Sequence, residues 1–106
     1  MSGDVLAGLA ETIRARRNAA GDSSYTRQLL DRGVERCAKK FGEEAVETVL
    51  AAMAQSDDGL RNEAADVIYH LLVLLEVRNI DFADVLDVLE KRKMQSGLEE
   101  KAGRTK

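Results

Sequence analysis

Proline does not occur in this chain of 106 residues, so no helix interior is broken by a missing N–H and a ring clash. Its place is taken by Ala, Leu, Glu, Lys and Arg, all good helix formers, and the reading is helix throughout. Cysteine occurs once, as Cys37, which excludes an internal disulfide and suits a reducing compartment. A surplus of positive charge is missing too. The formal net charge is −3, whereas a protein built for nucleic acid normally carries a basic face. Nor is there a long apolar run: the most hydrophobic stretch, Val67 to Leu75, is interrupted by His70, and a membrane span takes about 20 apolar residues. The opening Met1-Ser2-Gly3-Asp4 lacks an apolar signal core, so no secretory signal is expected. These absences leave neither nucleic acid nor membrane as an expected partner, and a cytoplasmic location as the expectation.

What is present organises as helices joined by short turns. One domain over residues 1–106 is expected from the length. With 44% hydrophobic residues the core is small, and chains of this size often bury further surface against a copy of themselves. Val5, Leu6, Leu9 and Ile13 make the stripe of a first helix from about Asp4, its N-cap, to Arg17. Asn18 to Ser23 reads as a loop. Ser24 caps a short helix through Leu29 and Leu30 that breaks near Gly33. A long helix follows, on which Val34, Cys37, Ala38, Phe41, Ala45, Thr48, Val49 and Ala52 recur at the helical period. Gln55 to Gly59 is a turn, and Leu60, Ala64, Val67, Ile68, Leu71, Leu72 and Leu75 mark a second long helix. Asp81 and Asp84 begin a last helix carrying Phe82, Val85, Leu86 and Leu89. The polar tail from Gly97 to Lys106 predicts little order. The fold class is all-α, a bundle of four to five helices.

Two acidic motifs interrupt the apolar patterns: Glu43-Glu44-Ala45-Val46-Glu47 and Glu63-Ala64-Ala65-Asp66. Residues three apart lie on one helix face, so Glu44 pairs with Glu47 and Glu63 with Asp66. Glu44 and Glu63 fall in the phase of core residues, with Glu47 and Asp66 at the border of the stripe. Either motif alone would be an ordinary solvated helix face. Together, on consecutive helices, they suggest charge compensated by a cation, since uncompensated burial is costly. The midpoint between the pairs is Gln55, so a hairpin pivoting there, with Ser56 as N-cap, brings them level. No Glu-x-x-His of the di-iron bundles accompanies them. Oxygen-only ligands favour Mg²⁺, with Mn²⁺ as a substitute.

Ser24-Tyr25-Thr26, then Lys39-Lys40-Phe41-Gly42-Glu43-Glu44-Ala45-Val46-Glu47, then Glu63 to Leu75 with its Tyr69-His70 pair, and the tail Ser96 to Lys101, resemble the phosphoribosyl-ATP pyrophosphatase family. That family lies within the MazG-like all-α nucleotide pyrophosphohydrolases. The resemblance runs from about Tyr25 to Arg104. It implies Mg²⁺-dependent hydrolysis of phosphoribosyl-ATP to phosphoribosyl-AMP and pyrophosphate, the second step of L-histidine biosynthesis, in a homodimer of the stand-alone form. It also implies Glu44, Glu47, Glu63 and Asp66 as metal-binding carboxylates. Glu47 and Glu43 are the candidates for accepting the proton of the attacking water.

The triphosphate needs cations as well. Lys40 shares a face with Glu44 and Glu47, and Lys39 stands beside it; each serves either the substrate or an ordinary helix salt bridge. His70 shares a face with Glu63 and Asp66, as a core histidine, a donor orienting Asp66 or a phosphate contact. Tyr25 is a candidate for phosphate or ribose, or simply packs. Gly42 costs roughly 1 kcal/mol against Ala within a helix, which suggests close approach of a backbone or substrate. Two rivals stand. One is a MazG-like pyrophosphohydrolase for other nucleoside triphosphates, and the other is a helical dimerisation module without catalysis.

Overall fold

The computed structural model describes residues 2–54 and 56–93. The pivot Gln55 and the tail with its Ser96 to Lys101 resemblance lie outside them. Five helices follow one another: α1 (Ser2–Asn18), α2 (Tyr25–Asp31), α3 (Val34–Ala54), α4 (Asp57–Val77) and α5 (Phe82–Lys93). No strand occurs among the described residues, so the fold is the expected all-α bundle.

The serine caps form as the sequence indicates. Ser24 Oγ accepts from Arg27 N at 3.1 Å and Ser56 Oγ accepts from Gly59 N at 3.2 Å, each meeting an N–H the first turn leaves unpaired. Gly33 links α2 to α3 at φ 89°, a left-handed conformation that glycine adopts without a Cβ clash. The two aspartate starts differ: α1 already runs from Ser2, so Asp4 lies within it and is not its N-cap. Asp81 turns its carboxylate to Arg14 on α1.

Packing is most extensive between α3 and α4, an antiparallel hairpin held close by its short connection. The core sits at the open end of that hairpin, where Ile13 of α1, Leu29 and Leu30 of α2, Cys37 of α3, and Leu72 and Val73 of α4 meet. Cys37 donates to Leu29 O at 3.2 Å, and burial pushes its thiol up; it is a core residue. Toward the turn, Ala51 is the one buried residue of the hairpin's outer half among those described.

Several expected core positions face outward. On α3, Val34, Ala38, Val49 and Ala52 are exposed, and so is Ile68 on α4. Glu76 is buried instead. Arg14 Nε reaches its Oε1 at 3.1 Å and Arg17 Nη1 its Oε2 at 2.8 Å. Arg17 also donates to Glu76 O at 2.7 Å and to Asn79 Oδ1 at 2.8 Å. This cluster ties α1 to the end of α4, where Asn79 takes φ 62° to reverse the chain. No described helix is long and apolar enough to cross a membrane.

Candidate functional site

Register along the α3–α4 hairpin positions the acids. Because Ser56 starts α4, Thr48 comes level with Glu63: its Oγ1 lies 2.9 Å from Glu44 O and 3.2 Å from Glu63 O. One hydroxyl hydrogen is thus shared between the preceding turn of α3 and the backbone of α4. By its spacing alone Thr48 is an ordinary packing position; across the hairpin it clamps the two acidic turns together. Nothing in a single helix's pattern reveals such a contact.

Three of the four expected carboxylates converge. One oxygen each of Glu44, Glu63 and Asp66 lies within 4.8 Å of the others. Around Mg²⁺, with bonds of about 2.0–2.1 Å, neighbouring ligand oxygens sit about 3–4 Å apart. A small contraction therefore suffices to close the set on one ion. Glu44 and Glu63 are half-buried and Asp66 is exposed, which matches a site opening to solvent from the hairpin wall. Glu47 is exposed and is not one of the converging three, yet it acts on them. Burial, and then the charges of Glu47, Asp66 and Glu44, push the Glu63 carboxyl above its usual range. Like charges held together, with oxygen as the only donor atom, fit a hard divalent cation.

Lys40 is the cation placed against this cluster, 3.4 Å from Glu43 and 3.8 Å from Glu44. The helix salt bridge anticipated from Lys40 to Glu44 is thus present, and Lys40 also reaches Glu43. Lys39 points to solvent and meets no carboxylate among the described residues. Glu43 is about half exposed and engaged with Lys40.

His70 is buried, and its Nδ1 has no hydrogen-bond partner among the described residues. The rings of Tyr69 and Tyr25 stand edge-on to it, with centroids at 4.9 Å and 6.3 Å. Burial lowers its pKa, and the charge of Glu44 only partly opposes this. It makes no hydrogen bond to Asp66. Tyr25 itself is exposed, while Tyr69 is hydrogen-bonded to Thr26 of α2. Gly42 differs from the packing expectation, since an added Cβ would meet nothing within 4 Å. No neighbouring helix among the described residues requires a glycine there.

Two recesses border the bundle. The larger, about 220 Å³ between α1 and α5, is walled by Ala7, Ala10, Phe82 and Leu86 with Arg14 and Asp81, and carries none of the site acids. The smaller, about 110 Å³, is lined by Tyr25, Gln28, Leu29, Arg32 and Arg36. Its two arginines belong to no acidic motif: Arg32 caps the C-terminus of α2 and Arg36 lies in the first turn of α3.

Residues 6–93 match the family model described as phosphoribosyl-ATP pyrophosphohydrolase. The chain is 59% identical over 96 residues to a phosphoribosyl-ATP pyrophosphatase 1 of Bradyrhizobium diazoefficiens, covering 91% of each chain. It is 53% identical over 100 residues to a phosphoribosyl-ATP pyrophosphatase of Cereibacter sphaeroides, covering 94% of this chain and 97% of that one. With that of Agrobacterium fabrum it shares 52% over 104 residues, 98% of this chain and 97% of the relative.

Proposed function

Since the chain belongs to the phosphoribosyl-ATP pyrophosphohydrolase family, we propose that it hydrolyses phosphoribosyl-ATP to phosphoribosyl-AMP and pyrophosphate, with Mg²⁺, in L-histidine biosynthesis. The convergence of Glu44, Glu63 and Asp66 carries this reading. Bound there, Mg²⁺ supplies charge neutralisation to the phosphate oxygens and acidity to water. Mn²⁺, with the same taste for oxygen, is the expected substitute.

The chain's own residues divide the remaining work. Glu44, Glu63 and Asp66 would hold the ion. Glu47 is beside Glu63 and outside the converging set, which leaves it free to take the proton of a water attacking at the α–β linkage; Glu43 is the second candidate. The bond from the α-phosphorus to its bridging oxygen breaks, and pyrophosphate departs. Lys40 exchanges its carboxylate partners for the leaving phosphates, and Tyr25 and His70 line the approach. A small-molecule substrate made from ATP suits a cytoplasmic location.

The direct test is pyrophosphate release from phosphoribosyl-ATP with Mg²⁺ and after chelation. Release that stops on chelation and resumes with Mg²⁺ supports the reading. Preference for an ordinary nucleoside triphosphate would move the chain to the wider MazG-like group, and no release from any nucleotide would leave the dimerisation module.

A homodimer completes the proposal. Val46, Val49, Leu50 and Met53 form one stripe at i, i+3, i+4 and i+7 on α3, and every one of them is more than half exposed. An apolar stripe on a helix beside the site is suited to a second copy. Sedimentation should give the mass of two chains, and Val49→Asp with Leu50→Asp should give one. A wild-type chain sedimenting as a monomer at micromolar concentration would remove this part.

A further inference from the structure

We propose that the recess between α2 and the start of α3 holds the phosphate of the phosphoribosyl group, the feature that separates phosphoribosyl-ATP from ATP. This rests on phosphoribosyl-ATP being the substrate. That molecule has two anionic ends, a triphosphate and a phosphate monoester carrying nearly two charges at neutral pH. The triphosphate goes with the ion at Glu44, Glu63 and Asp66. The monoester has no such ion, and the carboxylates around that cluster repel it. It requires cations of its own.

Arg32 and Arg36 supply them. Elsewhere Arg14, Arg16, Arg17, Arg27 and Arg61 each meet a carboxylate. Arg32 and Arg36 meet none among the described residues, and together they line one recess. The Arg36 Nε is buried without a hydrogen-bond partner, an arrangement that native proteins seldom tolerate without a ligand or water. Arg36 also lies in the first turn of α3, where the helix dipole disfavours a cation and favours an anion. A bound phosphate satisfies the guanidinium through the paired N–H donors that suit arginine to oxyanions. The recess, about 110 Å³, has room for several waters and hence for one phosphate group. Gln28 offers less, because its amide already donates to Ser23 O at 3.2 Å.

The recess and the acidic site share helix α3. Arg36, Lys40 and Glu44 follow one another at intervals of four along α3, which sets Arg36 about 12 Å from Glu44 along the axis. Tyr25 lines the recess and also stands against His70, one turn along α4 from Asp66. The purine and the two riboses of the substrate would span this stretch.

The test measures pyrophosphate release by the full chain with Mg²⁺ from phosphoribosyl-ATP and from N1-ribosyl-ATP, the same compound without the monoester. Wild type should favour the phosphorylated compound in kcat/KM, through KM. Arg36→Gln, and Arg36→Gln combined with Arg32→Gln, should shrink that preference by at least ~10-fold, as loss of a charged hydrogen bond predicts. Arg36→Lys should recover part of it. Circular dichroism melting establishes that the variants are folded. A preference kept within about twofold in the double variant, or a fall shared equally by both compounds, would overturn the subsite while leaving the proposed reaction intact. A wild-type chain inactive on phosphoribosyl-ATP but active on other triphosphates would overturn both.

Discussion

Glu63→Gln is expected to lower kcat for pyrophosphate release by about a thousandfold and at the same time to raise the melting temperature of the metal-free protein. Loss of activity alone would not distinguish an ion ligand from a structural residue. The gain in stability does. Glu63 is half-buried among Glu44, Glu47 and Asp66, and burial with their charges raises its pKa. A carboxyl raised in the folded state holds its proton more tightly folded than unfolded. Above the folded pKa the charged group penalises the fold, and the penalty is relieved as pH falls through that pKa toward the unfolded value. Metal-free wild type should therefore gain stability on mild acidification from neutral pH, until other carboxylates protonate. The glutamine variant should lack that gain. Added Mg²⁺ should stabilise wild type in proportion to its binding and leave the variant unmoved. Melting curves at several pH values, with and without Mg²⁺, provide the check. A variant that melts lower without metal, or that retains a tenth of the activity, would dismiss Glu63 as a ligand.

Glu76→Ala should be the most destabilising truncation of a charged side chain away from the site, by about 2–3 kcal/mol. Its side chain is 9% exposed and receives both Arg14 and Arg17. Removing one partner of a buried ion pair leaves the others short of hydrogen bonds and typically costs 3–5 kcal/mol. Arg14 is about half exposed, so water takes up part of the loss, which lowers the expectation. The carboxylate also secures the point where α1, α4 and α5 meet, so the fraying should spread to α5, which has no buried residue of its own. Urea unfolding at one fixed protein concentration measures the change, since a dimer's stability depends on concentration. Glu76→Gln, which keeps an acceptor, should lose less. A shift under about 0.5 kcal/mol would reclassify the cluster as a solvated surface pair.

Much of the site is legible along one strand of reasoning. Ser24 and Ser56 announce helix starts because a short hydroxyl ahead of an apolar period meets an unpaired N–H. The carboxylate pairs at Glu44 and Glu63 follow from the helical period, and their level placement from a pivot at Gln55. Other features have no local signature. Val46, Val49, Leu50 and Met53 are as apolar as the residues that form the core, and yet they face outward. Helix α3 carries more than one apolar face, and only packing decides which is used within the chain. Glu76 reads as a surface charge until two arginines from α1 arrive over it.

The resemblance of its motifs identified the family, and the sequence by itself determined the helices, the serine caps of α2 and α4, and the acidic pairs. Each of these depends on spacing within one helix, where the rise and turn per residue are constant. The tertiary structure alone decided that Glu44, Glu63 and Asp66 converge while Glu47 stands aside, that Thr48 bridges the hairpin, and that Arg32 and Arg36 share a recess. Those distances run between helices. They depend on how each helix is rotated about its axis and how closely it approaches its neighbour, and all the packed side chains set these together.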